Sequence, residues 1–581
     1  MTEHHFTSWD GASLYYRAWL PEKPAEKALV LFHRGHEHSG RFAELVQKLG
    51  LSDFAVFAWD MRGHGNSPGD RGWAESFACL VRDADCFVKH ICAKHEIAIE
   101  NIGVIAHSVG AVVAATWAHD YAPPIRAMVL ASPAFRVKLY IPFALAFLRV
   151  QRKFQKRAFV KSYVRPGMLT HDQAECESYA NDPLISKAVS VNLLVGMRDS
   201  AARILADAAA IRTPTLVLSS GRDYVVRLAD QREFFRRLGS PMKEIREYPG
   251  AYHDLFHERE RVWPIAHARE FLLRAFEQPA LENATLSNEV EYARLSRQPS
   301  TLPAISWGMQ RLFLKTVGKL SDGIRLGWRR GFDSGDSLDY VYRNQPGGAT
   351  ILGRLIDRVY LSSPGWCGIR ERKAHIETLL RTAIERVRAE GGLAHILDPA
   401  AGGGRYVLDT VSKLPGAPVA VTLRDWNPSS VEAAARLARK LKLTEVRATQ
   451  GDAFDWVSLA SIRPRPGIVI VSGLYELFPD NDKVRTSLQG LADALGDGGY
   501  LIYTNQPWHP QLEIIARVLD NREGERWVMR PRHQAEMDAL VRAAGFEKLD
   551  MLIGADGIFT VSLARRVASA QIHSRRELAV C

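Results

Sequence analysis

Three side chains of the types used in nucleophilic acyl transfer follow one another along the first half of the sequence. Ser108 lies in the pentapeptide AHSVG (106–110), between an apolar run and a stretch of small residues. Asp223 follows the apolar run Thr215–Ser219, and His253 lies in a loop rich in proline and glycine. In such a set a neutral imidazole removes the serine proton while a buried carboxylate orients the ring. The three residues therefore favour catalysis through a serine nucleophile.

The pentapeptide around Ser108 suits a sharp turn from a strand into a helix. Such a turn crowds the backbone beside the serine, so its pattern, G-x-S-x-G, places small residues on both sides. Here Ala106 occupies the first glycine position and Gly110 the second. An oxyanion formed during attack would need two backbone N–H groups, one from Val109 and one from the loop of residues 33–41.

Four separated motifs of the first half resemble the monoacylglycerol lipase and lysophospholipase branch of the α/β-hydrolases. The motifs, within about residues 6–276, are HRGHEHSGR at 33–41, DMRGHGNS at 60–67, AHSVG at 106–110 and AYH at 251–253. One departure is Arg34, which stands where this branch usually has a glycine after the first histidine of the loop. The resemblance implies an α/β-hydrolase domain.

The same resemblance assigns roles to five residues. It implies a catalytic triad of Ser108, Asp223 and His253, and an oxyanion hole lined by Gly35 and Val109. The implied reaction is hydrolysis of a small-molecule or lipid ester. Because a fold does not fix its substrate, a peptidase or a C–C bond hydrolase of the same fold stays open.

A basic segment interrupts the first α/β series where a cap is expected, at about residues 134–200. The part Phe135–Pro166 contains nine basic residues and no acidic one, around the apolar stretch LYIPFALAFL (139–148). Apolar side chains beside lysines and arginines are typical of a surface that binds anionic lipid. A solvated basic cap face over a buried apolar stripe is an equal alternative.

The second half contains a strand, a glycine turn and a helix start in ILDPAAGGGR (396–405). Glycines let a ligand approach the backbone, and a helix N-terminus offers free N–H groups. A dinucleotide fingerprint would need glycine or alanine at position 407, which is Val407. The run instead resembles the first motif of class I S-adenosylmethionine-dependent methyltransferases, D-x-x-x-G-x-G.

Two further acids strengthen this resemblance, which covers about residues 335–566. The run 419–423 leads to Asp425, where a carboxylate can accept hydrogen bonds from both ribose hydroxyls, and Asp452 matches the acid that meets the adenine amino group. An ordinary helix N-cap is the alternative for Asp425. Contacts to a methyl acceptor are expected from residues 473–478 and 503–509. The implied cofactor is S-adenosylmethionine, held by Asp398, Gly402, Gly404, Asp425 and Asp452.

The two halves alternate strands and helices but share no motif, so we predict an α/β chain of two different doubly wound domains. The predicted parts are an α/β-hydrolase domain at 1–277, a linker at 278–334 and a Rossmann-like methyltransferase domain at 335–581. Within the linker, Trp307–Phe332 has six basic residues and one acidic residue. It predicts a basic amphipathic helix that lies on an anionic membrane or packs one domain against the other.

Composition narrows the class of protein. The chain of 581 residues has 76 lysines and arginines against 65 acids, a net charge of +11, and the cap segment and the linker helix carry the excess. This distribution argues against a general nucleic-acid binder, and no nucleic-acid partner is expected. Six scattered cysteines without a CxxC pair predict neither disulfides nor a metal site. With no signal peptide and no apolar run of spanning length, we predict a cytoplasmic protein, with peripheral binding at the inner membrane face left open.

These observations predict an enzyme with two activities. The first is an acyl-ester hydrolase of the lysophospholipase or monoacylglycerol lipase type, and the second is an S-adenosylmethionine-dependent methyltransferase. The acyl substrate and the methyl acceptor are not specified by the sequence. A lipid-bound scaffold whose second half senses the cofactor without turnover is the alternative from a different class.

Overall fold

The computed structural model of the chain describes residues 1–141, 143–155, 157–279, 289–392, 394–415 and 419–567. The chain divides into two units, Met1–Glu282 and Asn283–Cys581. Each unit is built on its own sheet, as the two separate series of strands and helices predict.

The first unit is built on strands that are mostly apolar runs. The strands are β1 (Thr2–Thr7), β2 (Ser13–Trp19), β3 (Lys27–Phe32), β4 (Phe54–Trp59), β5 (Ile102–His107), β6 (Ala127–Ala131), β7 (Phe159–Lys161), β8 (Ala188–Ser190), β9 (Thr215–Ser220) and β10 (Lys243–Tyr248). The main sheet has the order β1-β2-β4-β3-β5-β6-β9-β10 and is parallel from β4 to β10. Strands β4 and β5 are buried along their whole length, because helices cover both faces of the sheet.

Helices connect the parallel strands of the first unit. They are α1 (Ala43–Leu49), α2 (Phe77–His95), α3 (Val109–Asp120), α4 (Ala144–Phe154), α5 (Gln173–Asn181), α6 (Val191–Ala206), α7 (Leu228–Arg237) and α8 (Val262–Glu277). Helix α3 is made of small and apolar residues and is buried almost all round, between the sheet and helices α2 and α6. Its first residue directly follows Ser108, so its packing fixes the predicted nucleophile.

The predicted cap lies between β6 and β9. It consists of α4, α5, α6 and a small antiparallel pair formed by β7 and β8. Helix α4 turns Leu148 inward against α6 but leaves Phe147, Val150 and Phe154 exposed, together with Phe143 at its N-cap. The basic segment therefore presents apolar side chains to solvent as well as a buried stripe.

The second unit is built on a sheet that is parallel except at one edge. Its strands are β11 (His395–Asp398), β12 (Ala420–Asp425), β13 (Val446–Gln450), β14 (Ile468–Val471), β15 (Tyr500–Asn505), β16 (Phe546–Ile553) and β17 (Thr560–Arg566). The order is β13-β12-β11-β14-β15-β17-β16, with β17 antiparallel to both neighbours. Strand order reverses between β11 and β14, the place where open α/β sheets bind ligands.

The helices of the second unit begin well before its first strand. They are α9 (Glu289–Ser296), α10 (Thr301–Lys315), α11 (Asp322–Arg330), α12 (Gly335–Arg343), α13 (Ile351–Leu361), α14 (Pro364–Ala389), α15 (Arg405–Val411), α16 (Pro428–Lys440), α17 (Trp456–Ala460), α18 (Asn481–Leu495), α19 (Leu512–Val518) and α20 (Gln534–Ala543). Helices α9 and α10 both pack against α19, so the described part of the predicted linker folds within this unit.

The single helix predicted for Trp307–Phe332 is wrong. Helix α10 ends at Lys315, a 3-10 turn follows, and α11 starts after Ser321, whose hydroxyl accepts a hydrogen bond from the N–H of Ile324. A serine before Asp322 is a strong helix start, and it divides the segment. The later part is core, since Ile324 and Phe332 are buried. Within the described ranges, no helix has both the length and the apolar character that a bilayer crossing requires.

Replacing Gly110 by alanine should destabilise the first unit, because a Cβ there would lie 2.5 Å from the carbonyl oxygens of Phe32 and His33. Helix α3 would have to move away from β3, at a cost of about 1–3 kcal/mol measured by chemical denaturation. The control is Gly167→Ala, whose Cβ would meet no described atom within 4 Å; we expect a change below about 0.5 kcal/mol. Unchanged stability of Gly110→Ala would contradict this packing.

Candidate functional sites

Ser108 lies in a strained turn between β5 and α3. Its backbone has φ +54° and ψ −110°, a conformation that a non-glycine residue adopts only when its surroundings hold it. The N–H of Ser108 donates to the carbonyl of Ala131 at 2.9 Å, and its own carbonyl accepts from the N–H of Ala134 at 3.1 Å. These two bonds tie the turn to the end of β6 and hold the hydroxyl at the carboxyl edge of the sheet.

The structure brings Ser108, His253 and Asp223 into one hydrogen-bonded chain. The Ser108 Oγ lies 2.8 Å from Nε2 of His253, whose Nδ1 lies 2.7 Å from Oδ2 of Asp223. When Nδ1 carries the proton and donates to the carboxylate, Nε2 is free to accept from the serine hydroxyl. All three side chains are buried, so water competes little with these bonds.

Asp223 is held as a carboxylate at the end of β9. Its Oδ1 accepts from the N–H groups of Val225 and Val226, at 2.7 and 2.9 Å. Burial alone would raise its pKa, but the His253 ring and these hydrogen bonds outweigh burial and keep the pKa below its usual value. The carboxylate therefore stays charged and can stabilise an imidazolium.

Gly35 and Val109 lie side by side next to Ser108. A Cβ on Gly35 would lie 2.9 Å from Cγ2 of Val109, so a larger residue at position 35 would press against the Val109 side chain. Val109 is the first residue of α3, where N–H groups have no acceptor within the helix. Both residues line the cavity that Ser108 faces.

Arg34, the departure from the family pattern, is buried in an ion-pair network. Its guanidinium lies 2.7 Å from Oε1 of Glu37 and 3.3 Å from Oδ2 of Asp254. Asp254 also pairs with His257 at 3.0 Å; burial would lower the pKa of His257, but Asp254 outweighs it and raises that pKa to about 8. The charge of Arg34 is therefore neutralised within the protein. Its ion pair with Asp254 ties the loop that contains Gly35 to the residue after His253.

A large apolar cavity of about 880 Å³ opens above Ser108 and His253. Its walls come from helix α2, as with Phe77 and Leu80, and from the cap, as with Phe147 and Leu148. Among the described residues that line it, none is an aspartate or a glutamate. The cap therefore covers the predicted nucleophile with an apolar, acid-free chamber.

The glycine turn of the second unit lies at the switch point after β11. Gly402 and Gly404 have φ +54° and +62°, in the left-handed region that favours glycine. Cβ atoms built at Gly402 and Gly403 would meet no described atom within 4 Å, whereas one at Gly404 would lie 2.5 Å from Leu423. The first two glycines thus leave their backbone open to a cavity of about 470 Å³.

Asp425 and Asp452 both line this cavity. Asp425 accepts from the N–H of Gly402 at 2.8 Å through Oδ2 and from the N–H of Asn427 at 2.9 Å through Oδ1. The N-cap of α16 is Asn427, so the alternative that Asp425 is that cap is wrong. Asp452 accepts from the N–H of Phe454 at 2.8 Å. The acids predicted from separate strands are brought to one cavity.

Asp398 does not line the cavity with them. It is fully buried, and its carboxyl accepts from the Tyr406 hydroxyl at 2.6 Å and from the N–H of Ala400 at 3.1 Å. Burial raises its pKa to about 7. These contacts join Asp398 to the residues on either side of the glycine turn. The sequence resemblance instead predicts that Asp398 contacts the cofactor.

Several residues near this site carry no sequence signal. Arg372 lies in the middle of α14, yet it lines the cavity and donates to Oε1 of Glu476 at 3.2 Å. Asp333 and Arg522 line it as well, from opposite ends of the unit's sequence. No local pattern could have indicated them, because each reaches the site through long-range packing.

Two family models match the chain. A model described as "Putative methyltransferase" matches residues 268–566, and one described as "Serine aminopeptidase, S33" matches residues 23–260.

Three known proteins place these matches in context. "Uncharacterized protein YnbC" of Escherichia coli is 47% identical over 97% of this chain and 98% of its own. A monoacylglycerol lipase of Mycolicibacterium smegmatis is 28% identical over 45% of this chain and 92% of its own. The crystal structure of a monoacylglycerol lipase from Paleococcus ferrophilus, 26% identical, covers 45% of this chain and 99% of its own with a TM-score of 0.42. The chain therefore belongs to the methyltransferase family that the first model describes. In this chain, an α/β-hydrolase domain similar to monoacylglycerol lipases precedes the methyltransferase-family domain.

Proposed function

We propose that the chain is an enzyme with two activities, a serine hydrolase of lipid esters in the first unit and an S-adenosylmethionine-dependent methyltransferase in the second. The observation that carries the first activity is the hydrogen-bonded chain of Ser108, His253 and Asp223 beneath a large apolar cavity. The glycine turn and its two acids support the second.

Hydrolysis proceeds by acyl transfer through Ser108. His253 Nε2 takes the hydroxyl proton as Oγ attacks the acyl carbonyl, and the N–H groups of Gly35 and Val109 stabilise the oxyanion. The imidazolium, stabilised by Asp223, gives its proton to the leaving alcohol and an acyl-enzyme remains. Water then repeats the sequence, and its attack releases the fatty acid and restores Ser108.

The lining of the cavity favours an apolar acyl group over a peptide. An aminopeptidase needs a carboxylate to bind the charged amino terminus of its substrate, and none of the described lining residues supplies one. Arg34 cannot hold a free carboxylate either, because Glu37 and Asp254 already neutralise it. A volume of about 880 Å³ accommodates a long acyl chain.

Ser108→Ala should lower p-nitrophenyl ester hydrolysis by about 10⁴-fold or more, because no other group can form the acyl-enzyme. Initial rates with p-nitrophenyl decanoate measure the loss, and calorimetric titration should show unchanged S-adenosylmethionine binding. Ser52→Ala, an exposed serine of the same unit, is the control and should keep full activity. Retained esterase activity in Ser108→Ala would contradict the triad, and faster cleavage of an amino-acid p-nitroanilide would favour a peptidase.

The residues of the glycine turn fit S-adenosylmethionine. Two open glycines let its flat and charged parts approach the backbone, and Asp425 and Asp452 can accept from ribose hydroxyls and the adenine amino group. When bound, the cofactor supplies an electrophilic methyl group on a sulfonium. The chain's own residues bind and orient it, and exclude water.

Asp425→Asn should weaken S-adenosylmethionine binding by about tenfold, because an amide replaces the carboxylate that accepts from the ribose. Isothermal titration calorimetry measures the dissociation constant. Glu432→Gln, an exposed acid on the neighbouring helix α16, is the control. Equal affinity of Asp425→Asn and wild type would contradict the assigned cofactor contact.

We also propose that the cap binds an anionic membrane surface at the cytoplasmic face. Phe143 and Phe154 are 88% and 86% exposed, and the exposed Val150 lies between them on the same face of α4. The segment Phe135–Pro166, which contains this stripe, has nine basic residues and no acid. Such a surface suits insertion among anionic lipid headgroups, next to the chamber that takes the acyl chain.

The exposed side of α10 is a second apolar surface next to basic residues. It contains the part of Trp307–Phe332 for which we still propose membrane binding. Ile305, Met309 and Leu312 are exposed along it. Lys315 and Lys319 follow, and residues 301–321 contain no acid.

Val150→Ser with Phe154→Ser should reduce sedimentation with phosphatidylglycerol vesicles by about tenfold, because two apolar anchors are lost outside the catalytic chamber. Binding to phosphatidylcholine vesicles should be weak for every variant. Val262→Ser with Trp263→Ser, another exposed apolar pair of the same unit on α8, is the control. Equal binding to neutral and anionic vesicles, or none, would contradict the membrane proposal.

A further inference from the structure

A second cavity of the second unit adjoins the glycine-turn cavity. The two share Asp333, Leu338, Arg372, Gly473 and Leu477 in their walls. Beyond this junction, aromatic side chains line the second cavity: Phe332, Tyr360, Trp366, Trp527 and Phe559. A molecule held there would lie directly beside a cofactor bound at the glycine turn. We call this the aromatic cavity.

The size of the aromatic cavity limits what it can hold. Its volume is about 170 Å³, close to the roughly 150 Å³ of a cavity that binds benzene. Trp366 and Trp527 are stacked with their ring centroids 6.3 Å apart, so two flat rings lie together in its wall. The cavity therefore suits one aromatic ring with short substituents, in contrast to the acyl-sized chamber of the first unit.

Several buried polar atoms of the residues that line this cavity have no hydrogen-bond partner among the described residues, and they include Nε of Arg372 and Nε1 of Trp527. Gln506 is 1% exposed, and its Nε2 has no hydrogen-bond acceptor among the described residues. Oε2 of the buried Glu476 likewise has no donor among them, while Oε1 accepts from Arg372. Leaving a carboxylate oxygen and an amide N–H unpaired in an apolar site is costly. A ligand hydroxyl has both functions that these atoms lack, because it can donate to Oε2 of Glu476 and can accept from Nε2 of Gln506.

His509 adds a neutral donor to the same wall. Its Nδ1 accepts from the N–H of Gln511 at 3.0 Å, so the ring proton is on Nε2. Burial lowers the pKa of His509 to about 4, and the ring is uncharged at neutral pH. Gly365, at the start of α14, leaves the space beside Nε2, since a Cβ there would lie 2.8 Å from that atom.

The charges around the aromatic cavity cancel. Arg372 is paired with Glu476, and Asp333 is paired with Arg522 at 3.2 Å. With His509 neutral, no charge is left over for an ionic ligand among the described lining residues. An anionic or cationic acceptor would lose its hydration, and no unbalanced charge of the described lining residues would compensate for that loss.

We propose that the aromatic cavity is the methyl-acceptor site and that its substrate class is an uncharged, single-ring molecule with a hydroxyl group. This proposal rests on the methyltransferase activity proposed above. Glu476 Oε2 takes the hydroxyl proton while the oxygen forms its bond to the methyl carbon. The bond from that carbon to the sulfonium sulfur breaks, and its electron pair stays on sulfur, which becomes a neutral thioether. The products are a methyl ether and protonated Glu476, which returns its proton to solvent.

Equilibrium dialysis of the full chain with 4-ethylphenol, ethylbenzene and 4-ethylbenzoate tests the proposal. Gly365→Ala reduces the space beside His509 at a helical position where alanine is favourable, so this variant should fold. The probe binding that wild type shows and Gly365→Ala lacks is therefore binding to the aromatic cavity. Probe binding to the chamber of the first unit is the same in both proteins. We expect the lost component to be at least about tenfold stronger for 4-ethylphenol than for the other two probes.

Glu476→Gln separates the hydroxyl contact from the shape of the cavity. It should weaken the same 4-ethylphenol component by about tenfold and leave ethylbenzene unchanged, because only the phenol donates to Oε2. Glu432→Gln is the matched control. Wild type should form 4-ethylanisole with S-adenosylmethionine, and Glu476→Gln should not.

Two results would overturn the proposal. One is equal loss of all three probes in Gly365→Ala, and the other is preferential loss of 4-ethylbenzoate. Titration of S-adenosylmethionine is measured separately in each variant. Failure to bind the cofactor would contradict the proposed methyltransferase activity, whereas cofactor binding without a phenol-specific component would contradict only the acceptor class.

Discussion

Both candidate sites depend on the alignment of parallel strands, whose carboxyl ends lie along one edge of a sheet. In the first unit that edge brings together Ser108 after β5 and Asp223 after β9, although 115 residues separate them. In the second it brings together Gly402 after β11 and Asp425 at the end of β12. The apolar runs that bury these strands on both faces therefore fix the chemistry as well as the fold.

The two units solve the same electrostatic problem in the same way. Each has an apolar cavity beside buried ionisable groups, and each neutralises those groups within the protein. Beneath the chamber of the first unit, Arg34 pairs with Glu37 and Asp254. At the aromatic cavity, Arg372 pairs with Glu476. Buried charges that are paired leave the cavities suited to uncharged, apolar substrates.

Local signals in the sequence are sufficient for residues at strand ends and insufficient for residues that arrive by packing. Small residues around Ser108 and acids directly after apolar runs predict Ser108, Asp223 and Asp425, because each of these signals lies within a few neighbouring residues. Arg372 has no such signal, since only the docking of α14 brings it to Glu476. The linker helix is mispredicted because basic amphipathic periodicity continues across the helix start at Ser321. Asp398 matches its motif, but burial directs it to Tyr406.

In the proposed hydrolase reaction, the hydrogen-bonded chain behind Ser108 makes this one hydroxyl a nucleophile. Reaction with an alkyl fluorophosphonate, followed by mass spectrometry of the peptides, tests it most directly. We predict one phosphonyl adduct, on Ser108, formed with release of fluoride and slowed strongly by His253→Gln, which removes the base. An unlabelled Ser108, a label on a different serine, or an equal labelling rate in His253→Gln would contradict the claim.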